Sequence, residues 1–275
     1  MYFDTHSHFH DDKFLPDFAD TLARAHAAGV TRILTLGDSI AASRKAIALA
    51  SQHPSVHAAA GIHPSNARSW CDETREDLLL LLQQPQVVVL GEIGLDYYWD
   101  KSEDFVRQQH CCFREQLQIA KATGFPVSIH SRESNGDVLQ ALEEEDGASI
   151  GGVLHCFNGT YEEARRGLDL GFLIGVGGTA TYPKSADLRE VLIKVGLDHI
   201  VIETDAPYLP PQPMRGKRNE PSFVALTAKH LAALFGIEPN ALGERTHQNG
   251  LRAFRWDSPR RRPTQNHQEP TSNAG

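Results

Sequence analysis

Met1-Tyr2-Phe3-Asp4-Thr5-His6-Ser7-His8 opens the chain, and the way this stretch reads decides the fold. Met1–Thr5 has the character of a short strand, and it runs directly into His6-Ser7-His8. Alternate side chains of a strand share a face, so Asp4, His6 and His8 point the same way. The arrangement recurs further along. Val87–Leu90 precedes Glu92, Pro126–Ile129 precedes His130, Gly152–Leu154 precedes His155, and Ile200–Thr204 closes on Asp205. Imidazoles and carboxylates just beyond strand after strand need an architecture in which strand C-terminal ends meet. A closed parallel barrel provides one, with the active site at that end.

The rest of the chain alternates in the same sense. Further strand-like runs lie at Arg32–Leu36, Val56–Ile62 and Phe172–Val176. Between the runs, apolar residues recur at three- and four-residue spacing, as in Phe18-Leu22-Ala25, Phe113-Leu117-Ala120 and Leu188-Val191-Leu192, which is the period of a helix. Gly29, Gly124 and Gly171 stand where such helices stop. Repeated strand–helix units give an α/β fold, and eight of them give a (β/α)8 TIM barrel. The expected organisation is a single barrel domain over residues 1–256, its last helix ending near Phe254. A tail over residues 257–275 is almost devoid of apolar residues and is expected to be disordered. Its Arg260-Arg261-Arg262 cluster reads as solvated rather than as a nucleic-acid contact.

Composition narrows the function. The chain has 275 residues, of which 40 % are hydrophobic, enough for a large core. A formal net charge of −8 argues against a broad duplex-binding face. It leaves room for a phosphate substrate, because bound cations and a few local Arg or Lys neutralise phosphates within an acidic protein. No apolar run is long enough to cross a bilayer. The N-terminus lacks a basic segment followed by an apolar one, so no secretory signal is expected. Cys71, Cys111, Cys112 and Cys156 have no C-x-x-C spacing and suit a reduced cytoplasm. Strand parity points Cys156 away from the barrel interior.

The candidate metal ligands are His6, His8, Glu92, His130, His155 and Asp205. A lone histidine at the end of a strand is more often an ordinary hydrogen-bonded group than a ligand. Six ligand-type residues at the strand ends of one barrel reverse that balance. A carboxylate has two oxygens and can bridge two cations. The simplest partition gives one metal His6, His8, Glu92 and Asp205, and the other Glu92, His130 and His155. Two such cations would lie about 3.5–4 Å apart, where they would activate water and stabilise the leaving oxygen. Glu92 and Asp205 are the expected catalytic carboxylates, Asp205 as the proton acceptor from the attacking water. The donor set admits Zn, Mn or Mg.

The same residues carry a resemblance. Asp4-Thr5-His6-Ser7-His8, Gly61-Ile62-His63-Pro64, Gly91-Glu92-Ile93-Gly94-Leu95-Asp96 and His130-Ser131-Arg132 occur in that order. They are followed by His155-Cys156-Phe157, Glu203-Thr204-Asp205-Ala206-Pro207-Tyr208-Leu209 and Arg215-Gly216-Lys217-Arg218-Asn219-Glu220-Pro221. In this set the chain closely resembles the TatD family of metal-dependent deoxyribonucleases, amidohydrolase-like barrels, from residue 2 to about 255. The resemblance implies a TIM barrel, two or three divalent metals, and cleavage of DNA phosphodiesters, often from a 3′ end.

Other residues complete the expected site. His63 ends the third run and is a candidate contact for a phosphate or the leaving oxygen. Arg132 is a candidate phosphate contact, with pairing to Glu133 as the rival reading. Arg215 and Lys217 follow the last strand, where barrels often bind phosphate. Tyr182 is a candidate base-stacking residue beyond the glycine-rich Gly175-Val176-Gly177-Gly178-Thr179 loop. Glu203 is either a group that orients a ligand or a ligand for a third metal. The expected substrate is DNA with single-stranded or frayed ends, because duplex bases are stacked and paired. No membrane or obligate protein partner is expected. The alternatives are a D-aminoacyl-tRNA deacylase or other ester hydrolase on the same site, and a non-catalytic, metal-bound nucleic-acid-binding protein.

Overall fold

The computed structural model describes residues 1–256. Eight strands follow in chain order: β1 (Tyr2–Ser7), β2 (Val30–Leu36), β3 (Val56–Ala60), β4 (Val87–Asp96), β5 (Val127–Arg132), β6 (Gly152–Leu154), β7 (Phe172–Val176) and β8 (Ile200–Ile202). Each pairs in parallel with the next. The last returns to the first through a parallel bridge between Ser7 and Ala206. His8 N–H donates to Ala206 O at 2.6 Å, and Asp205 N–H donates to His6 O at 2.9 Å. The expected (β/α)8 TIM barrel is the fold.

The helices between the strands are α1 (Phe18–Ala27), α2 (Ile40–Gln52), α3 (Asp72–Leu81), α4 (Glu103–Thr123), α5 (Asn135–Glu144), α6 (Gly147–Ile150), α7 (Tyr161–Asp169) and α8 (Ala186–Val195), and α9 (Val224–Phe235) and α10 (Pro239–Ala253) follow β8. Local chemistry sets their ends. Thr160 and Glu163 form a reciprocal capping box at the start of α7. Gly124 ends α4 in the left-handed region at φ 74°, a conformation that costs a residue with a Cβ. No helix among the described residues is long and apolar enough to cross a membrane.

Strand alternation divides the core in two. Tyr2, Ile33, Leu90, Val127, Ile129, Ile174, Ile200 and Ile202 pack outward against the helices. Phe3, Leu34, Leu36, Ala59, Val89, Val153, Leu173 and Val201 form a separate buried cluster with Ala253 and Phe254. Phe3 meets Phe254 and Trp256 edge-on, with ring centroids 6.1 and 5.4 Å apart. The end of α10 thus plugs the barrel at the start of β1. The other end of β1, where His6 and His8 lie, stays available for chemistry.

Several strands differ in extent from the apolar runs that signal them; β1 and β5 run on through His6 and His130, and β4 and β8 depart furthest. β4 continues through Asp96, because Gly94, Leu95 and Asp96 pair with His130, Ser131 and Arg132 of β5. Glu92 therefore lies inside the strand, at a register shift between Leu90 and Ile93. β8 stops at Ile202, and Asp205 stands three residues beyond it, at φ 57°. The tail and its Arg260–Arg262 cluster lie outside the described residues.

Candidate metal centre

Six imidazole and carboxylate side chains from β1, β4, β5 and the segments after β1, β6 and β8 meet at the strand C-terminal ends. Glu92 is their hub and is 3 % exposed. Its Oε2 lies 3.4 Å from His6 Nε2 and 3.5 Å from His8 Nε2. Its Oε1 lies 2.8 Å from His130 Nδ1, 3.8 Å from His63 Nε2 and 4.0 Å from His155 Nε2. Asp205 Oδ1 closes the other side, 3.5 Å from His8 Nε2 and 3.9 Å from the Nε2 atoms of His6 and His155.

His6 and His8 are anchored at Nδ1, His155 has its Nδ1 against a carboxylate without a well-aligned hydrogen bond, and all three aim Nε2 at the centre. His6 Nδ1 lies 3.1 Å from Ser128 Oγ. His8 Nδ1 lies 2.9 Å from Leu36 O, which can only accept, so Nδ1 carries a proton, and in the neutral ring that a cation would require Nε2 keeps its lone pair. His155 Nδ1 lies 2.9 Å from Glu203 Oε1. Metal-binding histidines are oriented in this way, by an acceptor on the far nitrogen. Two observations test whether a cation fits. His6 Nε2 and Glu203 Oε2 are buried without a hydrogen-bond partner, and a buried unsatisfied polar atom costs about 1–3 kcal/mol. His6, His8 and Asp205 also bring one ligand atom each within 4.8 Å of the others. The residues fit a cation.

The electrostatics lead the same way. Burial disfavours the charged form of His8, but the bond to Asp205 and the charges of Glu92 and Asp205 outweigh it and raise the imidazole to about 9. Burial opposes protonation of His130 as well, yet Asp96 and Glu92 lift it to about 9. Glu92 is desolvated, but facing histidines hold it well below the ordinary carboxylate range. The centre attracts positive charge strongly enough to hold protons on two partly buried imidazoles, and a divalent cation meets the same demand.

His63 plays a different part. Its Nδ1 accepts from Ser65 N–H at 3.1 Å, so in the neutral ring the proton sits on Nε2, which faces Glu92. Burial and the charge of His130 push its pKa down to about 3, keeping it neutral. His63 is thus built to donate a hydrogen bond into the site. It stands close enough to Glu92 and His130 to be counted with them as a ligand group, but a protonated Nε2 has no lone pair for a metal.

The family model for TatD-related DNase matches residues 3–255. The chain belongs to the TatD-related DNase family. The metal-dependent hydrolase YabD of Bacillus subtilis is 36 % identical over 93 % of this chain and 99 % of its own. The 3′-5′ ssDNA/RNA exonuclease TatD of Erwinia billingiae is 36 % identical over 88 % of this chain and 95 % of its own. The crystal structure of YjjV, a TatD homologue from Escherichia coli K12, superposes with a TM-score of 0.86 at 32 % identity, over 94 % and 98 % of the two chains. This TatD-family chain is accordingly a metal-dependent hydrolase acting on ester bonds.

The remaining expected residues sit around the TatD-type centre. Glu203 is fully buried, accepts from Cys156 N–H at 2.6 Å and faces His155. Gly175 makes this possible, since a Cβ there would lie 2.7 Å from Glu203 Oε2. Arg132 does not pair with Glu133, which is held by Lys101 at 2.8 Å; its guanidinium lies over the ring of Tyr98 instead. Arg215 is exposed and lies over Tyr182, 4.6 Å from the ring centroid, while Lys217 is exposed in the same loop. Arg218 is committed to Asp17 at 2.7 Å.

Three features escaped the pattern of the sequence. Cys156 does not point away from the site. Its backbone turns to φ 46°, strand parity lapses, and the thiol lies beside Thr179, Glu203 and Asp205, where burial and those carboxylates push it well above its usual range. Asp96 reaches His130 Nε2 at 3.1 Å, though its place in the Gly-Glu-Ile-Gly-Leu-Asp motif was the one available hint. Ser128, which holds His6, carries no signal at all.

Proposed function

We propose that this protein hydrolyses phosphodiester bonds of DNA, working from the 3′ end of single-stranded or frayed strands. The observation that carries the reading is the double orientation of Glu92, with one oxygen toward His6 and His8 and the other toward His130 and His155. One cation would be held by His6, His8, Glu92 and Asp205, and the other by Glu92, His130 and His155. Bound there, two divalent ions of Zn, Mn or Mg would lower the pKa of a water and neutralise charge on the leaving oxygen.

The chain's own groups supply the rest. Asp205, held ionised by His8, His155 and His6 against the cost of its burial, orients the attacking water and takes its proton. His63 donates from Nε2 to a phosphate or leaving oxygen. Glu203 fixes His155 through Nδ1 rather than serving as a ligand for a third ion. Arg132 meets a phosphate at the rim, and Arg215 and Lys217 meet phosphates further along the strand. The exonuclease name of the Erwinia billingiae relative supports this substrate and polarity. The four free thiols accord with a cytoplasmic setting.

The test is product analysis. The metal-stripped protein is reloaded with each cation and given 5′-labelled single-stranded DNA, duplex DNA and D-aminoacyl-tRNA. A ladder of 5′-labelled strands shortened one nucleotide at a time from the 3′ end is the expected result. Deacylation of the tRNA without DNA cleavage would replace the nuclease by an ester hydrolase, and DNA binding without turnover would replace it by a binding protein.

A further inference from the structure

The rim beside β4 and β5 carries a cluster that the metal centre does not explain. After Asp96, which bonds His130, the chain runs Tyr97-Tyr98-Trp99. Tyr98 is 46 % exposed and Trp99 75 %. Their rings meet edge-on at 89°, with centroids 4.8 Å apart. Leaving two large aromatics in water forgoes the free energy of burying them, so a standing pair of this kind marks a contact surface. Arg132 completes it. Its guanidinium carbon lies 3.6 Å from the Tyr98 centroid and 5.6 Å from that of Trp99. Arg132 pairs in register with Asp96 and follows His130 by two residues, so the cluster adjoins the centre. Among the described residues no carboxylate forms an ion pair with this guanidinium, and the neighbouring Glu133 is held by Lys101.

An exposed indole face beside an uncompensated, half-buried guanidinium matches one repeating chemistry: a flat base joined to a phosphate. Stacking accepts any base, since every base has a π-face, and it requires that the base be free of its duplex partner. We propose that Trp99, supported by Tyr98 and Arg132, positions a single-stranded nucleic acid by stacking on the base of a nucleotide adjoining the one cleaved, with Arg132 on its phosphate. This rests on the nuclease reading above and extends it. Trp99 is then a positioning residue, and the preference for single strands has a cause outside the metal centre.

The test uses the full-length, metal-loaded protein and a hydrolysis-resistant phosphorothioate oligothymidylate. A matched strand of equal length and charge lacks the bases next to its 3′ end. Binding is followed by tryptophan fluorescence and by anisotropy of a labelled strand. The wild type should bind the intact strand with a quenched emission and prefer it to the abasic one by about 5- to 100-fold. Trp99→Ala should lose that factor on the intact strand and no longer distinguish the two. Trp99→Phe should keep the affinity and lose the quench, which a merely structural role for the indole would not produce. If Trp99→Ala binds the intact strand as tightly as wild type and keeps the preference, the platform is overturned while the nuclease reading stands. If the wild type neither binds nor cuts any single strand, both are overturned.

Discussion

Asp4 grips Thr204 with both carboxylate oxygens, Oδ1 accepting from the backbone N–H at 2.8 Å and Oδ2 from the hydroxyl at 2.7 Å. The two residues are 200 positions apart and both buried. Between β1 and β8 the regular ladder shrinks to a single bridge, so this side-chain clasp carries much of the closure. It also sits directly beneath the metal centre, since His6 and His8 lie on one side of the seam and Asp205 on the other.

Asp4→Ala should therefore weaken fold and function together. It leaves the Thr204 N–H and hydroxyl buried without their acceptors, at about 1–3 kcal/mol each before relaxation. We expect a lower Tm by calorimetry and weaker metal binding by titration calorimetry, with the secondary structure retained. Unchanged metal affinity would mean that the clasp serves only the scaffold.

Glu92→Ala addresses the hub. Removing it takes away the one group that faces His6, His8, His63, His130 and His155 together. Metal content by atomic emission should fall and turnover should vanish, while the barrel survives because its packed layers lie below the site. Wild-type rates with an intact metal count would remove Glu92 from the mechanism.

The barrel was legible because its signal is local. Strand parity and helical period are short-range properties, and each of the eight apolar runs corresponds to a strand. The convergence of His6, Glu92, His130, His155 and Asp205 followed from the fold alone. What the pattern could not reveal is set by contacts distant in sequence or by departures from regular backbone. Ser128 meets His6 across 122 residues, and Asp96 reaches His130 across 34. Cys156 defeated strand parity because parity ends where φ turns positive. Arg132 found an aromatic ring rather than its sequence neighbour Glu133, a choice that only tertiary packing makes.

Glu220 ties the loop after β8 to α1. Arg24 grips it with three bonds, from Nε at 2.9 and 3.2 Å and from Nη2 at 2.7 Å. Burial raises the carboxyl, but Arg24 and Ser222 outweigh burial and bring it below 4.5. A carboxyl depressed in the folded state stabilises above its unfolded pKa and loses that contribution as pH falls through the folded value. Arg24 is half-exposed, so screening limits the effect to about 1 kcal/mol. Urea unfolding should show Glu220→Gln less stable than wild type at pH 7, with the gap narrowing below about pH 4.5. An equal gap at both ends of that range would show that the charge is not what matters.

Asp205 carries the sharpest expectation. It stands in the left-handed region at φ 57°, one of the few conformations that Asp and Asn tolerate better than other non-glycine residues. Asp205→Asn therefore keeps the backbone turn and the hydrogen bond from Asp205 N–H to His6 O at 2.9 Å that seals the seam. It keeps one oxygen toward His8 and removes the ability to take a proton. We expect the variant to fold with an unchanged Tm and to bind single-stranded DNA and at least one cation. Its kcat should drop by about 10²- to 10⁴-fold, the usual loss with a general base. KM should move little, because the group acts on the water rather than on the strand. Near wild-type cleavage by Asp205→Asn would exclude it as the proton acceptor. The role would then pass to Glu203, whose Oε2 lies buried without a partner beside His155.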